Sequence, residues 1–117
     1  MKIKFILDSP LLNRKGVSME WNFPVLPQKG ECVFPEIIMN QSDIIATYGK
    51  HLSEKGCEDF NHFASQDENG NIDLIVYVWL YDVIAEINIV RDIQYSLDDE
   101  DYSQIMAVIT LSDKEKK

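Results

Sequence analysis

Cysteine is nearly absent from this chain of 117 residues, with only Cys32 and Cys57 present. Two thiols cannot build a disulfide framework. In a reducing compartment they are expected as free, buried side chains. They form no C-x2-C pair, and His51-x5-Cys57-x4-His62 fits no usual zinc spacing. Basic residues are also scarce: eleven Lys and Arg stand against twenty Asp and Glu, a formal charge of −9. Such a surface repels phosphate backbones and anionic lipid, so direct nucleic-acid binding and membrane attachment are disfavoured. No apolar run approaches the roughly 20 residues that a membrane span requires. The start, MKIKFILDSPLLNRKG, opens like a signal peptide, but Asp8, Pro10 and Arg14 interrupt its apolar stretch. The expectation is a cytoplasmic protein.

Chemical motifs are missing as well. There is no glycine-rich phosphate loop and no G-x-S-x-G, and neither cysteine sits in a nucleophile signature. Asp67-x-Asn69-Gly70-Asn71-x-Asp73 looks like a calcium loop, but its sixth and twelfth positions hold Ile72 and Val78 instead of Gly and Glu. Glu86 and Asp92, read as strand neighbours, lie about 20 Å apart, too far to share acid–base work on one bond. No cofactor, no metal and no catalytic set is expected, so a small hydrolase or isomerase is the weakest reading.

What the chain does have is alternation. Met1–Leu7 sets Ile3, Phe5 and Leu7 against Lys2 and Lys4, and Val17–Phe23 sets Val17, Met19, Trp21 and Phe23 against polar residues. This period of two predicts a pair of antiparallel strands. Glu31–Phe34 reads as a short third strand closed by Pro35. Ile44, Ile45, Tyr48 and Leu52 change the period, and Ser42 before Asp43 offers an N-cap, which predicts a helix near residues 42–54. Beyond it, Phe60–Gln66 and Ile72–Val78 flank Asn69-Gly70, the strongest short hairpin signal, and read as paired strands.

The organising stretch runs from Asn71 to Leu111. Ile72–Tyr81, Val83–Tyr95 and Ser103–Leu111 read as three strands, the last two joined by the acidic loop Ser96–Tyr102. In sum, the sequence predicts a mainly β, α+β domain over residues 1–112, with a charged tail at 113–117. A twisted antiparallel sheet would curl into a small barrel or two layers around one inserted helix.

The phrase Leu26-Pro27-Gln28-Lys29-Gly30-Glu31-Cys32-Val33, followed later by the hairpin Ile89–Tyr95 / Ile105–Leu111, resembles small uncharacterised proteins of phages and Bacteroidetes-type mobile elements. There such a turn leads into a small SH3-like barrel. The resemblance covers a minor part of the chain and implies a fold only, with no active site. The helix-bearing insertion departs from a simple five-stranded barrel.

Two candidate surfaces follow. Tyr77, Trp79 and Tyr81 alternate in Ile72–Tyr81, and on a strand they form a flat aromatic surface about 14 Å long. Tyrosine and tryptophan anchor interfaces, so the stripe is a place for a protein partner or a second copy, unless the face Ile44/Tyr48/Leu52 covers it. The second is Asp98, Asp99, Glu100 and Asp101. Residues 54–101 carry thirteen acids against two bases. This asymmetry is solubilising, or it makes an acidic face that mimics nucleic acid and inhibits a binding protein. The leading expectation is a non-enzymatic interaction module, with the mimic as its alternative.

Overall fold

Lys2–Leu7 behaves as its alternation dictates. In the computed structural model, which describes residues 1–66, 70–98 and 100–113, it is strand β1, with Ile3, Phe5 and Leu7 buried. Val17–Glu20 is β2 and pairs antiparallel with it, placing Met19 opposite Ile3 and Val17 opposite Phe5. Ile89–Leu97 (β3) and Ile105–Ser112 (β4) form the antiparallel hairpin. β1 then lies parallel to β4, Ile3 beside Ala107 and Leu7 beside Leu111. The order is β2-β1-β4-β3.

This sheet is mixed and open, not a closed antiparallel barrel. Its edges are β2 and β3, and four strands are too few to curl back on themselves. Parallel neighbours cannot be joined by a tight turn. The long excursion between β2 and β3 is mostly helical: α1 (Pro35–Gln41), α2 (Tyr48–His51), α3 (Glu54–Ser65) and α4 (Ile72–Glu86). Among the described residues the fold is therefore α+β with four helices, where one was expected. Ile38, Ile44, Leu80 and Ile84 join Ile3, Phe5, Ile109 and Leu111 in one buried cluster. No helix among the described residues is long and apolar enough to cross a membrane.

The largest correction concerns Ile72–Tyr81 and Val83–Glu86, expected as strands and found as α4. Its buried residues are Ile75, Val76, Trp79, Leu80, Val83 and Ile84, a helical spacing of one and three. Ile72, Leu74 and Val78, which a strand would set on one aliphatic face with Val76 and Leu80, are exposed. Apolar residues occur at nearly every position, so both periods fit the stretch. The start signal was nonetheless present: the Asn71 side chain caps the helix by accepting the Asp73 N–H at 2.9 Å.

Phe60–Gln66 is corrected in the same way. It is helical to Ser65, with Phe60, Phe63 and Ala64 turned toward the core. Since α3 and α4 occupy its flanks, the Asn-Gly turn does not join two strands. Residues 67–69, the first three of the calcium-like stretch, lie outside the described residues, as do 114–117 of the tail. The helix expected near residues 42–54 is broken. Ser42 closes α1, its N–H bonded to the Ile38 carbonyl at 3.2 Å. Leu52 bridges to Leu12, and Ser53 starts α3 by accepting the Gly56 N–H at 3.0 Å. Glu31–Phe34 is no strand of its own; it makes a single bridge, Cys32 to Ile89. Both cysteines are exposed free thiols instead of core residues.

Arg91 interrupts the apolar face of its run, and the structure explains why. A β-bulge separates Val90 from Asp92, and Arg91 forms a close ion pair with Asp8, which is 6% exposed. Arg14 reaches the same carboxylate at 3.0 Å from a largely exposed position. Arg91→Met should therefore lower stability by about 1–3 kcal/mol, since a buried carboxylate loses a charged donor. Arg14→Ala should cost less than about 1 kcal/mol, as exposed pairs do. Urea unfolding midpoints of the two variants test the contrast.

Candidate functional site

On a helix, residues two apart diverge, so the aromatic stripe does not form. Trp79 is buried, at 3% exposure. Its indole N–H donates to Asp59 Oδ2 at 2.8 Å, and its ring meets Phe60 edge to face at 5.3 Å. Tyr48 stands against Phe60 in turn, at 5.4 Å, while Ile44 and Leu52 lie outside its helix. Tyr77 and Tyr81, one turn apart, are half-buried and stacked at 6.3 Å. The Tyr81 hydroxyl donates to Glu36 Oε1 at 2.8 Å and ties α4 to α1. That bond, with burial, raises the tyrosine pKa above 10.0, so the donor proton stays in place at neutral pH. Trp79 thus joins α4 to α3, and Tyr81, stacked on Tyr77, joins it to α1.

The acidic loop is also more engaged than its sequence suggests. Asp98 is 7% exposed. It accepts the Glu100 backbone N–H at 3.0 Å and the Lys2 ammonium at 3.2 Å. Lys2 also reaches Glu100 at 3.3 Å. Asp101 accepts both the Ser103 hydroxyl and its N–H. Asp99 lies outside the described residues. Asp98 and Glu100 thus pin the hairpin tip to β1 through Lys2, and Asp101 folds the turn at Ser103.

Their titration follows. The Glu100 N–H, then Lys2, hold the Asp98 pKa below 3.8, and the Ser103 hydroxyl and N–H lower that of Asp101. Bonds to Asp98, then Glu100, raise Lys2 above 10.5. A lowered carboxylate stabilises the fold above its unfolded pKa and loses that contribution as pH falls through the folded one; a raised lysine does the reverse at the alkaline end. The pinned tip should thus hold through neutral pH and loosen in acid as pH falls through the Asp98 value, which lies below 3.8. Amide exchange at Glu100 and Ser103 followed on acidification measures this: protection that stays constant until the whole fold unfolds would show that these bonds do not hold the tip.

A different surface emerges at the same end of the molecule. Leu97 pairs with Ile105 and Tyr95 with Ala107, so all four share the face that carries Ile109 into the core. Ala107 and Ile109 are fully buried there, yet Tyr95, Leu97 and Ile105 are 62%, 53% and 57% exposed. The reason is length. β3 has nine residues and β4 eight, against six in β1 and four in β2. The hairpin overhangs the helical layer as an arm whose inner face is left uncovered by the described residues. Beside the arm lies a cleft of about 700 Å³, lined by Glu20, Asp43, Asp98 and Glu100, with Lys2 and the N-terminus as its bases and Ile105 at its rim.

The arm also has an open backbone edge. The Asp98 N–H donates to the Gln104 carbonyl at 3.0 Å, which makes that pair hydrogen-bonded. Antiparallel pairs alternate, so Ile93, Tyr95 and Leu97 aim their N–H and C=O groups away from β4. Nearer the base the edge is covered: the Gly30 and Val90 N–H groups donate to Val90 and Glu31 carbonyls at 2.8 and 2.9 Å. Beyond Val90, among the described residues, no other backbone segment bonds to it.

Two other places are less complete. A groove of about 310 Å³ lies beside exposed Phe23, Val25 and Phe34, on an irregular segment with no strand edge. The carboxyl ends of parallel strands are a common ligand position, but the one at β1 is closed by Asp8 with Arg14 and Arg91. By sequence Leu97 falls in the loop Ser96–Tyr102 and Ile105 in an ordinary strand, so the arm is not visible there. The nine- and eight-residue runs were its only signal. Compared with protein families, curated proteins and solved structures, the chain matches none.

Proposed function

We propose that this protein is a non-enzymatic interaction module of the cytoplasm that holds a protein partner on the β3–β4 arm. The observation that carries the reading is the exposure of Tyr95, Leu97 and Ile105 on the face that buries Ala107, Ile109 and Leu111 further along β4. Apolar groups gathered on one surface mark interaction sites more often than scattered ones do. Tyrosine, leucine and isoleucine beside a polar, charged rim match the usual anatomy of an interface. The reading as an acidic mimic has less support, because Asp98 and Glu100 spend charge on Lys2.

Affinity capture from the native cell tests the proposal, comparing wild-type bait with Leu97→Asp. Both side chains at this position are solvent-exposed, so the variant should melt within a few degrees of wild type while losing its partner at least tenfold. Equal recovery on both baits removes the arm from the interface and with it the reading.

A further inference from the structure

We infer that the open edge of β3 takes a fifth strand from its partner, and that this strand is extended and basic, alternating apolar side chains with lysine or arginine. The inference rests on the reading of the arm as an interaction surface and adds the mode and chemistry of binding. Three observations converge. The outward N–H and C=O groups of Ile93, Tyr95 and Leu97 provide six hydrogen-bonding positions over about 17 Å of strand; one of them, the Leu97 carbonyl, already accepts the Ser96 hydroxyl at 3.3 Å. Exposed edges of this length are templates for strand addition and are normally blunted by lysine, proline or a covering segment. Here the covering segment stops at Val90 and neither residue occurs in Ile93–Leu97.

The second observation is the side chains beside the edge. Tyr95 and Leu97, with Ile105 behind them, present apolar surface on one face only. An added strand would meet that surface with every second residue and face water with the others. The third is charge. The tip that ends β3 sets Asp98, Glu100 and Asp101 against Lys2. Asp92 lies on the strand itself. A lysine or arginine flanking the added strand would find carboxylates within reach.

The same charges argue against a second copy as occupant. Two β3 edges meeting about a two-fold axis run antiparallel, which sets the Asp98–Asp101 tip of one copy alongside Asp92 of the other. The chain is already at −9. Like charges brought together in this way oppose association.

The test uses the full chain and a fluorescein-labelled nine-residue peptide alternating lysine with valine. Its counterparts are the same peptide N-methylated at alternate positions and one with glutamate in place of lysine. Fluorescence anisotropy should show saturable binding of the first, at least tenfold weaker binding of the N-methylated form, and none of the glutamate form. Tyr95→Pro removes an N–H that β4 does not use and should weaken binding at least tenfold; Leu97→Lys should do the same without constraining the backbone. Equal binding of the N-methylated peptide would overturn strand addition and leave the arm as a side-chain interface. A concentration-dependent dimer that Tyr95→Pro dissolves in sedimentation would overturn it in favour of a second copy. If no peptide binds while Leu97→Asp still loses its captured partner, the inference is wrong and the proposed function stands.

Discussion

Trp79→Ala is expected to lower stability by about 3–5 kcal/mol, the usual cost of emptying a buried aromatic site. Three contacts fail together. The indole no longer fills the seam between α3 and α4, Phe60 loses its edge-to-face neighbour at 5.3 Å, and Asp59 loses the indole donor at 2.8 Å. Because Phe60 also carries Tyr48, the cavity sits in a line of packed rings. Collapse at one end disturbs the other. Against a domain stability of about 5–15 kcal/mol, the loss is a large fraction, and the melting temperature should fall by roughly 10–20 °C. Trp79→Phe should keep most of the volume and cost less than half as much. Thermal unfolding followed by circular dichroism measures both. An alanine variant melting within 2 °C of wild type would place Trp79 outside the core.

Gly56→Ala should be nearly as damaging, and for a reason that has nothing to do with hydrophobicity. A Cβ there would stand 1.9 Å from the Leu11 carbonyl oxygen and 2.9 Å from its carbon. Neither is the loose end of a side chain. The same carbonyl accepts the Ser53 N–H at 3.1 Å, and the Asn13 N–H bonds the His51 carbonyl at 2.8 Å. These bonds strap the loop after β1 across the start of α3. A methyl group must push the strap off or shift the helix. Helix propensity by itself favours alanine over glycine by about 1 kcal/mol, so the two effects oppose. The clash wins, with a net loss of roughly 2–4 kcal/mol. Gly49→Ala supplies the control, since a Cβ there meets nothing within 4 Å. It should be neutral or stabilise by up to about 1 kcal/mol. Urea midpoints moving in opposite directions for the two substitutions would establish the strap; matching midpoints would dismiss it.

The alternation of Lys2–Leu7, Val17–Glu20 and Ile105–Ser112 was enough to name those strands, and adjacency in sequence was enough to pair β1 with β2 and β3 with β4. Composition alone set the −9 charge and disfavoured phosphate-rich partners. These properties are local or additive, so a linear reading reaches them. α4 was beyond it, because Ile72–Glu86 is apolar on almost every side and satisfies either period until a neighbour is chosen. Its buried stripe is selected by α1, α3 and the sheet, and that selection moved Trp79 from a supposed surface into the core. The parallel contact of β1 with β4 joins strands about a hundred residues apart, and no local signal encodes it. The arm depends on that contact too. By sequence Ile105 belongs to an ordinary strand and Leu97 to a loop; both stand in water at the end of a long hairpin because β1 and the helices end before it does.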